Sequence, residues 1–243
     1  LISQCFGCAM LFWMSHKGQS IRIQLRNFTP TKAYAKEIIF GGTPSLSRQG
    51  LGSIATLVLN VAAGAYGDAA IAGMSIVTRI SFFTYAVVIG LGQGFQPLCG
   101  FCYGAKLYSR VKDAYYFCIK CGTVFLAACA VIGFIFSEQI IELFRDDPHV
   151  VAVGSVALKW QVISFPLITT IVLTNMLMQT IRKPIRANIV AAARSGLFFI
   201  PLIFILPHFF GLLGVEMCQA WADVCSFLVA VPIAWSAFRD MSR

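Results

Sequence analysis

A handful of side chains in this sequence need partners if they are to lie in an apolar interior: Gln49, Asn60, Arg79, Asn175, Gln179 and Asp223, with Arg48 beside Gln49. Each falls within a long apolar stretch. A charge at mid-bilayer costs roughly 3 kcal/mol on insertion scales, so such groups are retained for binding, proton or ion transfer, or helix pairing. Asp223 is the one carboxylate well inside an apolar stretch. It admits two roles. In the first it binds and releases a coupling cation, or pairs with a cationic substrate, in a water-filled cavity. In the second it neutralises Arg79 or Arg48 and holds helices together. Asn175 and Gln179 stand four residues apart on one helix face. They serve either as hydrogen-bonding glue between helices or as substrate ligands.

Helix breakers accompany these groups. Gly42 and Pro44 lie in Gly41-Gly42-Thr43-Pro44, Pro166 follows Phe165, and Pro201 interrupts a later stretch. Broken membrane helices accompany binding sites in transporters, so these four residues are hinge candidates. Transmembrane helices also tolerate Pro and Gly without any such role.

Other chemistries find little support. Cys99, Cys102, Cys118 and Cys121 read C-x2-C-x15-C-x2-C, a zinc-ribbon spacing. The same residues also read as small apolar side chains on the ends of consecutive helices, and Cys5–Cys8 repeats the pair with no counterpart. We expect no bound metal and no cofactor beyond a coupling ion. No nucleophile elbow, zinc-protease helix or phosphate-binding glycine loop is present, so no enzyme is expected. His16, His149 and His208 are scattered over loops and helix edges.

The elements that position these groups follow from composition. Of 243 residues, 58% are hydrophobic and 12% charged, against roughly 45–50% and about 25% in soluble domains. Mean hydropathy is +0.78. That excludes a disordered chain and an ordinary soluble enzyme. About twenty apolar residues cross a bilayer, and six such spans are expected: 38–62, 69–95, 114–136, 160–181, 188–209 and 215–238. Residues 1–14 are apolar but too short to cross and lack the flanks of a signal peptide. They are expected to be the end of a truncated helix, with 15–37 a linker, 38–238 a six-helix lobe and 239–243 a tail. Two longer loops are expected, at 96–113 and 137–159.

The net charge of +9 is accounted for by topology. Fifteen of the nineteen Lys and Arg residues fall on one side of this arrangement, the exceptions being Arg48, Arg79, Arg145 and Lys159. Basic loops stay in the cytoplasm, which makes that side, and the C-terminus, cytoplasmic. Anionic lipid is a sufficient partner for the charge, and no nucleic acid is implied.

Several stretches, in chain order, resemble the multidrug and toxic compound extrusion (MATE) family. They are Gly42-Thr43-Pro44-Ser45-Leu46-Ser47-Arg48-Gln49-Gly50, Ala70-Ile71-Ala72-Gly73-Met74-Ser75, and Gly90 through Gly100 followed by Tyr103-Gly104-Ala105-Lys106. Leu173 through Gln179, Arg194 through Pro201, and Ala222-Asp223-Val224 continue the pattern. The likeness is to the MepA-like branch. It implies an all-α membrane fold of two six-helix lobes, of which this chain is the second. It further implies an antiporter in the cell membrane that exports organic cations and drugs in exchange for H⁺ or Na⁺, with an N-terminal lobe of the same polypeptide as partner. Cys102, Ser195 and Ala220 depart from the family's usual Asn, Gln and Pro. The acids that one Na⁺-coupled branch carries on the lobe's first helix are reduced here to Glu37. A lipid-linked oligosaccharide flippase of the same superfamily, and an inactive truncated product, are the alternatives.

Overall fold

The computed structural model describes residues 2–17 and 31–241. Most of the expected linker at 15–37 lies outside the described residues, as do the last two residues of the tail. Two compact units are distinguished, Leu1–Phe40 and Gly41–Arg243. The first holds α1 (Ile2–Lys17), whose Phe6, Leu11 and Trp13 are exposed. The second is the helical bundle that carries the site.

All described elements are helices: α2 (Lys32–Gly64), α3 (Asp68–Gly104), α4 (Tyr108–Ile135), α5 (Ser137–Phe144), α6 (Pro148–Thr180), α7 (Pro184–Ala192), a five-residue π segment (Ala193–Leu197), α8 (Phe199–Phe210) and α9 (Leu212–Met241). The fold is an all-α, polytopic six-helix bundle, with α7, the π segment and α8 forming one of the six.

Five of the described helices are long and apolar enough to cross a membrane, rather than six. The exception is α2. It has 33 residues, but Arg48, Gln49, Asn60 and a run of Ser, Thr and Gly dilute its apolar content. A helix lined with polar groups on one face is what a cavity wall requires, and α2 forms one.

The two expected long loops are largely helix. α3 continues through Pro97 to Gly104, and α4 starts at Tyr108, so three residues join them. The 137–159 segment contains α5 and the first turns of α6. Hydropathy marks where a helix leaves the bilayer, not where its hydrogen bonds stop; within these two segments the helix is interrupted at 105–107 and at 145–147, just ahead of Pro148. Asp147 caps α6 through His149 N at 3.0 Å, with Pro148 at the first helical position. In α5, Ile141 is buried.

The turns at Ala105–Leu107 and Arg182–Lys183 share one geometry. Lys106 and Arg182 adopt positive φ, 60° and 56°. Leu107 N donates to Cys102 O at 2.8 Å, and Lys183 N to Met178 O at 2.9 Å. These wide bonds close the helix ends in the Schellman manner. A basic residue takes the position usually held by Gly, next to carbonyls that favour positive charge.

α6 is the hub. It packs against α3, α4 and α9 most extensively, and most of it is buried, with Ser155, Gln161, Ser164, Thr169, Thr174 and Asn175 among its buried residues. Small residues allow the approach: a Cβ placed on Gly73 of α3 would stand 3.1 Å from Gly154 N of α6. Large side chains such as Phe83, Phe101, Phe117 and Trp235 face outward. That surface is costly in water and ordinary against lipid.

Cys99, Cys102 and Cys118 are buried in one apolar cluster with Phe95, Tyr115 and Met178, while Cys121 is exposed. The four sulfurs do not converge. Among the described residues no group of three or more His, Cys, Asp or Glu is placed to hold a metal.

Candidate functional site

A cavity of about 310 Å³ opens between α2, α3, α6, the π segment and α9. Its floor is organised by Asp223, which is fully buried on α9. Four donors reach that carboxylate. Arg194 Nε donates to Oδ1 at 2.7 Å and Gln219 Nε2 donates to Oδ1 at 3.1 Å. Ser164 Oγ donates to Oδ2 at 2.9 Å and Gln161 Nε2 donates to Oδ2 at 3.3 Å. The Arg194 guanidinium also lies over the Tyr85 ring, 4.9 Å from its centroid. Three elements are thereby tied to one carboxylate, and a fourth, α3, to the guanidinium that faces it.

Local sequence explains how each group arrives. Gln219 is one helical turn before Asp223, so both share a face of α9. Gln161 and Ser164 are three apart on α6, just ahead of Phe165-Pro166. Arg194 stands on the π segment, where Phe198 N bonds to Ala193 O at 3.1 Å across five residues. Pro201 lacks the N–H that would bond to Leu197 O in a regular helix, and its ring crowds that carbonyl. The wider turn directs Arg194 and Ser195 to the cavity, a common setting for π segments.

Asp223 therefore has a cationic partner, but not an expected one. Neither Arg79 nor Arg48 reaches it; Arg194, which the charge pattern had set on the cytoplasmic side, does. Arg194 is only six residues past Asn188, where hydropathy begins the span. The π turn and a long side chain carry its charge inward.

Of the other sequence candidates, Gln49 lines the cavity, with Arg48 beside it. Asn60 does not: it follows Leu59, the last α2 residue on the wall, and is exposed. Arg79 is also exposed and off the wall, about 100° round α3 from the lining residue Thr78. Asn175 donates from Nδ2 to Ala187 O at 2.7 Å, and Gln179 Nε2 donates to Asn175 Oδ1 at 2.7 Å. The Asn175 amide thus links α6 to α7, and Gln179 bonds to it from within α6. Asn175 also borders a small void of about 20 Å³ with Arg48, Tyr85 and Arg194. The hinge candidates Gly42, Pro44 and Pro166 lie within continuous helices α2 and α6, and Pro201 lies in α8 just past the π segment. Sequence reasoning did not single out Gln161, Ser164, Tyr85, Arg194 or Gln219. A polar pair ahead of a Pro on α6, and a Gln one turn before the buried Asp, were the available signals.

At the other end of the bundle, Lys183 pairs with Asp240, and Arg186 donates to Asp240 at 3.2 Å and to Ser236 Oγ at 3.0 Å. Glu138 and Lys159, on the side opposite to those basic ends in the charge pattern, pair at 3.6 Å.

The MatE family model matches residues 44–205, which include α3, α4, α6 and the π segment. The chain belongs to the MatE family. It is similar to the multidrug export protein MepA of Staphylococcus haemolyticus, 30% identical over 223 residues, covering 91% of this chain and 49% of that protein. MepA of Staphylococcus aureus strain MSSA476 is 28% identical over 217 residues, covering 88% and 47%. The fold matches the MATE transporter VcmN of Vibrio cholerae in its bent form with a TM-score of 0.86 at 18% identity, covering 99% of this chain and 55% of that one. The MatE chain thus spans about half the length of the relatives it matches. MATE proteins are membrane transporters rather than enzymes, and this chain has the helices of a multi-pass membrane protein.

Proposed function

We propose that this MatE chain forms the C-terminal lobe of a secondary antiporter in the cell membrane, which exports organic cations and drugs in exchange for H⁺ or Na⁺. An N-terminal lobe of the same polypeptide supplies the facing wall, in keeping with the half-length match to the multidrug exporters. The observation that carries the reading is the 310 Å³ cavity among membrane-length helices. Its volume is at the small end of ligand pockets, roughly 300–1,000 Å³, as one wall of a larger site would be. Polar groups that a bilayer interior otherwise disfavours are concentrated on it.

Asp223 acts here as a positioning group. It satisfies Arg194, and with Gln161, Ser164 and Gln219 it fixes the floor of the cavity. Gln49 stands at the wall as a substrate contact. Asn175 and Gln179 hold α7 against α6, and so hold the helix that presents Arg194. Gly42, Pro44, Pro166 and Pro201 are the points at which helices reorient as the lobes alternate. The basic ends of α3, α6 and α9 face the cytoplasm.

The test is export of an ethidium-like dye by cells expressing the full-length protein, with the H⁺ and Na⁺ gradients collapsed one at a time. Export that stops with one gradient supports the antiporter and names the ion. Absent dye export, with lipid-linked intermediates accumulating on deletion, identifies the flippase instead.

A further inference from the structure

We propose that Glu216 is a proton-binding site at the outer end of this lobe. It is neutral while α8 and α9 are closed around it and ionised when that end opens to water, so that the lobe itself carries a proton of the exchange. The proposal rests on the antiporter reading, and it gives the proton a residue outside the substrate cavity.

Glu216 is a second carboxylate enclosed in α9. It is 6% exposed and stands two turns from Asp223, about 10 Å along the helix. Asp240, at the cytoplasmic end of the proposed orientation, is about 36 Å away along α9. The end of α8 closes over Glu216. Gly211, at φ 60°, turns the chain between the two helices, and Gly214 leaves no room for a Cβ against Leu206 O. The helices thus meet backbone to backbone just before Glu216.

The two acids differ in what they meet. Asp223 receives four donors, one of them cationic. Among the described residues no hydrogen bond or ion pair reaches Glu216. The elements packed against α9 are α6, α7, the π segment and α8. Their titratable side chains are His149 and Lys159, Arg186, Arg194 and His208. Lys159 pairs with Glu138, Arg186 with Asp240 and Arg194 with Asp223, and both histidines are exposed. On α9 itself the nearest charged residue is Asp223. Glu216 is also past the first turn of α9, whose free N–H groups favour an anion. A carboxylate enclosed without a partner takes up a proton rather than hold its charge. No Asp or Glu stands on those four elements. A hard cation that gathers several oxygen ligands finds one carboxylate there, which suffices for a proton. Gln219, one turn on, donates to Asp223 and lines the cavity. Repacking at Glu216 is therefore passed along one face of α9 to the cavity floor.

The test uses purified full-length protein at pH 7, where an ordinary glutamate, with a pKa of about 4.3, is ionised. Infrared spectra read the carbonyl stretch of protonated carboxylic acids, and the wild type should show an acid band that Glu216→Gln lacks. Identical spectra overturn the proposal. Thermal unfolding gives a second reading. A side chain that is neutral when folded and ionised when unfolded loses stability as pH rises, so the wild type should fall below Glu216→Gln between about pH 6 and about pH 9. The absence of such a divergence overturns the proposal. So does a Glu216→Gln that folds at no pH, because the amide closely matches the neutral acid. In proteoliposomes an imposed pH gradient should speed dye transport by the wild type and have severalfold less effect on Glu216→Gln. An equal response contradicts the coupling role. Wild-type transport that follows a Na⁺ gradient alone contradicts it too, while leaving the antiporter reading intact. A wild type that moves no dye would instead remove that reading, and the acid band would still decide whether Glu216 holds a proton.

Discussion

Burial decides what Asp223 is worth. It is fully enclosed, and its partner Arg194 is mostly so. Removing one member of such a pair strands the other charge and costs roughly 3–5 kcal/mol, whereas removing both is often near neutral. Asp223→Asn should therefore unfold at a clearly lower temperature in detergent. Asp223→Asn combined with Arg194→Gln should recover most of the loss. Equal loss in the single and double variants would show that the pair does not act as a unit. A milder effect is expected at Asn175→Leu, which loses the bond to Ala187 O. Interhelical bonds of this kind are worth about 0.6 kcal/mol on average, so thermal unfolding should shift only slightly. That Asp223 needs partners was legible in the sequence, because a lone carboxylate in an apolar stretch stands out. Its partner was not. Hydropathy gives a residue's depth along a helix but not the face it occupies. Arg79 and Arg48 lay well inside their spans, whereas Arg194 counted with the cytoplasmic charges.

The elements themselves were nearly all legible, since apolar blocks of membrane length are the strongest signal a sequence carries. What failed was the reading of their polar ends as loops. Residues 96–113 and 137–159 lose their apolar character yet stay mostly helical, each interrupted by only three residues, 105–107 and 145–147. The contact between elements was not legible either. Gly73 and Gly154 lie 81 positions apart, and only the bundle shows that they meet. Gly73→Ala must push α6 away from α3, because the new methyl would stand 3.1 Å from backbone. It should cost roughly 1–3 kcal/mol, as overpacking does. Gly90→Ala on the same helix meets nothing within 4 Å. It should be neutral or raise stability by about 0.5–1 kcal/mol. The two variants compared by thermal unfolding test whether α3 and α6 pack as described; equal shifts would argue that they do not.

At the scale of the whole molecule, the proposed orientation places most of the basic residues behind the +9 charge at the cytoplasmic side. Two ion-pair sets hold opposite ends of the bundle, Lys183 and Arg186 with Asp240 at one and Lys159 with Glu138 at the other. In the full-length protein, freed of its native exposed thiols, a cysteine at Glu142 should react with an impermeant maleimide applied to intact cells. One at Lys112 should react only after permeabilisation. The reverse pattern would invert the topology. The central claim is that the cavity between α2, α3, α6 and α9 is where substrate sits. Maleimide labelling of Ser53→Cys, on the cavity wall, and Asn60→Cys, beyond its end on the same helix, tests this most directly. The account predicts that a transported dye slows labelling at Ser53→Cys severalfold and leaves Asn60→Cys untouched. Equal labelling rates at Ser53→Cys with and without dye would contradict it.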